Sequence, residues 1–370
     1  MEIITVETLR AWLEQKQPLT VLDIRPATDR AEWWIPGSVH VDAYAALRAH
    51  DPQALSTVEL PAQAPVVTVC ISGITSIIAA EQLSQRGLDA YSLEGGMRAW
   101  SLAWNMATIP YAEDDVHIIQ IRRTGKGCLS YIIGAGEEAI VIDASLDLQI
   151  YLNLAALQGW HISGVFDTHI HADHLSRSRQ LASRSGAMLF LPDQQRVSFP
   201  FTPLRANDEL TIAGQSLRIL HTPGHTAESV CYVLNNRVIF TGDTLALTGV
   251  GRPDLQSQDA DEAQMRASQL YSSLHSLLTF PAETLVLPGH TNMPVAFDGC
   301  PIMTTLRKIE ERIAIVHANH DNFVQILLQS IPATPLNYRL LIKLNEEGII
   351  PDSNITELEA GANRCVVAYP

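Results

Sequence analysis

The segment Thr168-His169-Ile170-His171-Ala172-Asp173-His174 places four side chains able to hold a metal ion within six positions. Imidazole nitrogens and carboxylate oxygens are the ordinary protein ligands of zinc and of non-haem iron. Three more such residues follow apolar runs of their own: His225 in HTPGHT, Asp243 in FTGDT and His290 in LVLPGH. A solitary histidine at the end of an element is ordinarily a polar cap. His40, His50, His117 and His161 read that way, and His221 within HTPGHT reads as structural. Seven ligand-type residues gathered at four strand ends instead predict a metal centre.

The elements needed to position these residues are legible around them. GVFD before Thr168 reads as a strand and LSRSRQLASR after His174 as a helix, so His169 and His171 can enter one cavity while Asp173 and His174 approach it from the other side. Upstream, HIIQIRR, LSYIIG and AIVID read as short strands with glycine-rich turns, and Asn235-Asn236 between CYVL and RVIF reads as a hairpin turn. Leu306, Ile309 and Ile313, then Phe323, Ile326 and Leu327, keep helical spacing, with a break predicted around His317 to Asp321. The first hundred residues have a different rhythm. TVLDI, VVTVC, a helix from Thr75 to Gln85 and AYSLEGG alternate as in a small α/β sheet. Asn105 to Asp115 carries Pro110 and a charge run and is predicted to be a linker. The expected division is therefore 1–105, 113–295 and a helical C-terminal extension over 296–370.

With 370 residues, 46% hydrophobic and 18% charged, the chain exceeds what one core usually spans and has ample apolar material for two. A formal charge of -15 argues against nucleic acid and anionic membranes as partners. The N-terminus lacks a basic flank followed by an apolar stretch, and no apolar run reaches membrane-spanning length. Five scattered cysteines, with no CxxC pair, make a disulfide framework improbable, so the cytoplasm is the expected compartment.

HxHxDH at His169 to His174, with His225, Asp243 and His290, resembles the metal-binding signature of the metallo-β-lactamase superfamily over about residues 113 to 295. That resemblance implies an αββα sandwich, and the superfamily hosts many reactions. GVGRPDL, Gly249 to Leu255, is similar to the Gly-Arg-x-Asp segment of the persulfide dioxygenases, in which the arginine, here Arg252, helps hold the site's architecture. Membership of that group implies one Fe(II) held by His169, His225 and Asp243 and no organic cofactor. The substrates would be a low-molecular-weight persulfide, such as glutathione persulfide, and O2, with sulfite as the product. His171, Asp173, His174 and His290 would then orient the ligands. The same strings also occur in hydroxyacylglutathione hydrolases of the glyoxalase II type, where those four residues would fill a second site, with zinc as the alternative metal, and activate a water against a thioester. A non-catalytic sulfur carrier or scaffold is a third reading, and a homo-oligomer stays open.

Val21 to Asp42 and Val69 to Trp100 resemble a single rhodanese module. Asp23, Arg25, Pro36-Gly37 and Leu93-Glu94-Gly95-Gly96 fall where that family keeps structural residues. The resemblance makes Cys70 the sulfur acceptor, in a loop containing Ser72, Gly73, Thr75 and Ser76 whose backbone N–H groups and following helix would favour an anion. Thr75 stands where rhodaneses commonly carry an arginine, a change that weakens thiosulfate binding. Cys128 reads as structural, Lys126 as near the site, and Cys231, Cys300 and Cys365 as core or surface thiols. Trp33-Trp34 is expected at the domain surface or the interdomain contact.

Overall fold

The computed structural model describes residues 2–61, 63–111, 115–212 and 214–369. Its N-terminal unit is a five-stranded parallel sheet in the order Glu2–Ile4, Ala90–Leu93, Val66–Val69, Thr20–Asp23, Val39–His40. Val66–Val69 is buried along its whole length, as expected of a central parallel strand packed on both faces. Because the strands run the same way, Ile4, Arg25, Cys70 and Glu94 all emerge at the carboxyl edge, where open α/β sheets place ligand-binding loops. The helix Thr75–Gln85 has the predicted bounds.

The second unit is a sandwich of two sheets. One has seven strands, from Thr202–Leu204 at one edge to Asn105–Ile109 at the other; the second has six, from Glu209–Ile212 to Thr304–Thr305. Ile118, Tyr131 and Phe166 of the first sheet meet Leu217, Tyr232 and Phe240 of the second in a continuous core. Helices Leu148–Leu157 and Ser178–Ser185 cover the outer face of one sheet, and Ala260–Leu277 with His320–Gln329 covers the other. The layers therefore run helix, sheet, sheet, helix. Asn235 and Asn236 both adopt positive φ, +49° and +54°, as the predicted hairpin turn requires. A 3-10 turn at Ala314–His317 interrupts the helices where a break is expected.

One expectation needs correction. The segment predicted to be a linker begins with a strand: Asn105–Ile109 pairs antiparallel with Val116–Arg122, burying Asn105, Ala107 and Ile109 while Met106 and Thr108 face out. Residues 112–114 of that segment lie outside the described residues. Pro110 and the charges mark its end, and the alternation before them is the stronger signal. The C-terminal extension is helical, as expected, with helices His320–Gln329 and Tyr338–Glu347, and it also ends in a strand. Its last strand, Val366–Ala368, pairs with Gly249–Gly251 in a three-stranded sheet beside the histidine loops. No helix among the described residues is long and apolar enough to cross a membrane.

Candidate metal centre

The loop after strand His161–Phe166 is fixed by an aspartate closing the neighbouring strand. Asp143, at φ +55°, accepts from Thr168 N at 2.7 Å and from Thr168 Oγ1 at 2.9 Å. Thr168 Oγ1 lies 2.9 Å from His169 Nδ1, leaving His169 Nε2 to face inward. His225 is oriented the same way, its Nδ1 donating to Arg252 O at 2.8 Å. Asp243 follows Gly242 at the end of its strand, and Asp243 Oδ1 pairs closely with His290 Nδ1. Such partners on the far nitrogen or oxygen fix the tautomer and direction of a metal ligand.

What remains free converges. His169 Nε2 and His225 Nε2 stand 3.7 and 3.5 Å from Asp243 Oδ2, and the three atoms are buried without a hydrogen-bond partner. The two imidazole planes cross at 87°. Buried polar atoms are almost always hydrogen-bonded, so three orphans aimed at one point fit a cation. Burial alone would raise the Asp243 carboxyl, but His290, His169 and His225 more than reverse this and hold it well below the usual carboxylate range. It is an anion ready to ligate. Gly251 must be glycine here, because a Cβ would stand 2.3 Å from Asp243 O and 2.8 Å from His225 Cβ.

The other four residues separate into two groups. His171 Nε2 lies 3.2 Å from Asp143 Oδ1, grouping it with Asp143 and Asp167, while its Nδ1 is buried without a hydrogen-bond partner and its ring stands 4.3 Å from that of His169 and 4.2 Å from that of His174. Asp173, His174 and His290 instead gather with Cys128. Arg252 is fully buried, and Asp254 at 2.8 and 2.9 Å and the carbonyls of Ala333 and Arg364 occupy its guanidinium, so it meets the site through its own carbonyl.

Several residues around the centre escaped the sequence reading. Cys128, read as structural, donates to Asp173 at 3.3 Å, and Asn363 Nδ2 reaches the same oxygen at 2.9 Å. Cys365, read as a core thiol, is buried two residues beyond Asn363, which accepts its N–H. Asn345 donates to His171 O and His174 O at 2.8 Å each. Glu359, fully buried, accepts from Leu175 N and from Arg123 at 2.5 Å, while Lys126 donates to Glu359 O. Asp143, closing AIVID, could have been suspected as a polar end to an apolar strand. The asparagines and Glu359 lie 170 or more residues from their partners and carry no local signal.

In the N-terminal unit Cys70 is buried and its Sγ accepts from Gly73 N at 3.2 Å, with Ser76 Oγ at 3.4 Å. Gly73 takes φ +80°, and a Cβ there would strike Gly95 N at 2.6 Å, so the loop seats against the LEGG turn. Thr75 is buried at the start of the helix, Ile74 beside it is 70% exposed, and Ser72 lies within the loop. Ile71 of this loop shares a cavity of about 320 Å³ with Trp33, Met97, Gly125 and Gly361, so the cysteine loop faces the second unit. Trp33 donates to Thr124 O at 3.1 Å across that boundary.

Residues 123–290 match the metallo-beta-lactamase superfamily and residues 5–103 the rhodanese-like domain. A hydroxyacylglutathione hydrolase of Methylobacillus flagellatus is 30% identical over 227 residues, covering 58% of this chain and 82% of the relative. This chain belongs to the metallo-beta-lactamase superfamily. Its superfamily domain follows a rhodanese-like domain. A second hydroxyacylglutathione hydrolase, from Rhizobium etli, is 29% identical, and the match spans 43% of this chain and 56% of that relative. Among solved structures, a metallo-beta-lactamase from Staphylococcus aureus aligns at TM-score 0.60 with 25% identity, covering 64% of this chain and 75% of its own. ETHE1 from Myxococcus xanthus aligns at TM-score 0.53 with 28% identity, covering 65% and 98%. The superfamily fold binds metal ions, and the clustered ligands of this member fit that use.

Proposed function

We propose that this protein is a persulfide dioxygenase, oxidising a low-molecular-weight persulfide, with glutathione persulfide the foremost candidate, to sulfite at a single iron held by His169, His225 and Asp243. The observation that carries the reading is the convergence of unpartnered atoms of His169, His225 and Asp243 on one point. Among the described residues, these three bring orphaned atoms together as two imidazoles and one carboxylate, a donor set that suits Fe(II) and leaves positions for exogenous ligands. When bound, iron would supply the means of activating O2.

The chain's own residues would do the rest. Thr168 and the Arg252 carbonyl hold the two imidazoles in their ligating tautomers. His290 keeps Asp243 ionised and aimed. Burial of the site excludes water, which protects a persulfide from side reactions. A cavity of about 400 Å³, lined by His290, Thr248, Asn292, Met293 and Val366 and by none of the three proposed iron ligands, lies on the His290 side of the centre and is of a size to take a tripeptide thiol. In the rhodanese-like domain, Cys70 would accept sulfane sulfur, with the Gly73 N–H and Ser76 hydroxyl supporting the thiolate.

A second reading is favoured by a specific observation: the relatives named above are hydroxyacylglutathione hydrolases, and Asp173, His174 and His290 remain beside Asp243. A two-metal thioesterase would cleave S-lactoylglutathione without oxygen. Loss of iron in His225→Ala together with loss of persulfide-dependent oxygen uptake is expected on the first reading. Full oxygen uptake by His225→Ala would contradict it.

A further inference from the structure

Residues 193–201 join the strands Met188–Pro192 and Thr202–Leu204 and carry no regular secondary structure. In their middle, the Arg196 side chain is 34% exposed, yet its guanidinium engages side chains from three distant parts of the chain. Its Nε donates to Glu346 Oε1 at 2.7 Å, and its Nη1 donates to Gln256 Oε1 at 2.5 Å and to Glu228 Oε2 at 3.4 Å. We propose that Arg196 is a positioning residue for the metal centre, tying together the segments that carry or aim His169 and His225. The proposal rests on the reading of those two histidines as metal ligands.

The path from Arg196 to the ligands is short. Ile170 separates His169 from His171, and both of its backbone polar groups are held. Its N–H donates to Glu228 Oε1 at 3.1 Å, and its carbonyl accepts from Gln256 Nε2 at 2.7 Å. Arg196 engages the same two side chains through their other oxygens, so one guanidinium fixes both supports of the peptide unit next to His169. Glu228 lies three residues after His225, and Gln256 four residues after Arg252, whose carbonyl orients His225. Glu346 follows Asn345, which donates to the carbonyls of His171 and His174. Four segments that meet at the centre are thus cross-linked by one side chain outside it.

The chemistry calls for arginine. A planar fork can serve several acceptors at once in fixed directions, which a lysine ammonium cannot do as well. Glu228 is only 4% exposed at its side chain, so loss of Arg196 leaves a nearly buried carboxylate without its counter-ion. Close packing does not replace these ties. Ile170 of the histidine loop and Val197 and Phe199 of the Arg196 segment line a common cavity of about 30 Å³. Incomplete packing there leaves the polar contacts to set the spacing. Arg205 offers a contrast within the neighbouring sequence. It pairs with Asp193 at 3.1 Å, but the two side chains are 70% and 50% exposed, and such surface pairs contribute little.

The test is the cobalt(II) affinity of the full-length protein, measured by chelator competition, together with hydrogen exchange of peptides spanning His169 to His174. Arg196→Ala should weaken cobalt binding by about 10- to 100-fold and speed exchange across those peptides. Guanidinium at non-denaturing concentration should restore much of both in Arg196→Ala while leaving wild type unchanged, and Arg196→Lys should keep part of the affinity. Arg205→Ala should match wild type in both measurements. Wild-type affinity in Arg196→Ala, an equal loss in Arg205→Ala, or a loss that guanidinium leaves untouched would overturn the proposal. Cobalt affinity does not depend on which reaction the centre runs, so failure here and failure of the proposed reaction are separately visible.

Discussion

At the scale of single residues, the metal centre depends on partners that are not themselves ligands. Glu359 is the clearest case. Burial by itself would raise its carboxyl, but Arg123, Arg177 and His174 hold it below its ordinary value of 4.5. A carboxylate whose folded value is depressed contributes stability that is fully present above its unfolded value and is lost as pH falls through the folded one. Glu359→Gln leaves Arg123 buried without its counter-ion, which typically costs about 3–5 kcal/mol. We expect a markedly lower melting temperature for Glu359→Gln at pH 7, with the gap to wild type narrowing as pH falls below about 4.5. Equal melting temperatures at pH 7 would show that the pair contributes no net stability. Thr168→Val should act differently. It removes the hydroxyl that pairs with His169 Nδ1 and Asp143, so iron affinity should fall by about 10- to 100-fold, measured by competition with a chelator.

At the scale of elements, the strands and the histidine loops were legible because each carries its own signal. The strands His161–Phe166, Gln215–His221 and Val238–Gly242 each lead into a short turn, and His169, His225 and Asp243 follow. The helix at Thr75 and the break near His317 follow from local periodicity in the same way. The strand Asn105–Ile109 was hidden by the proline and charges after it, although its alternation was present. The closing role of the C-terminus was not legible at all. Asn345, Glu359 and Asn363 are ordinary polar residues until tertiary structure brings them to His171, Leu175 and Asp173. Deleting residues 355–370 removes Glu359, Asn363 and the strand Val366–Ala368 together, and we expect a folded rhodanese-like domain with a metal centre that no longer retains iron through desalting. Undiminished iron in the truncated protein would contradict the role assigned to this segment. In the N-terminal unit the element of interest is the loop from Cys70 to Ser76. Thr75 is buried there, so the place of a loop cation is taken by a small packed side chain. Sulfur transfer from thiosulfate to cyanide should be weak in wild type and absent in Cys70→Ser; an unchanged rate in Cys70→Ser would exclude a Cys70 persulfide.

At the scale of the whole molecule, the cysteine loop of the rhodanese-like domain and the segment Ala360–Ala362 face one cavity, and Asn363, which follows that segment, touches Asp173. Of the cysteine loop it is Ile71 that lines this cavity, beside Gly125 of the second unit. The central claim is the reaction at His169, His225 and Asp243. Iron-loaded protein, prepared anaerobically, should consume O2 on addition of glutathione persulfide and produce sulfite, and should cleave S-lactoylglutathione slowly or not at all. Rapid anaerobic hydrolysis of that thioester, with no persulfide-dependent oxygen uptake, would contradict the account and establish the two-metal thioesterase in its place.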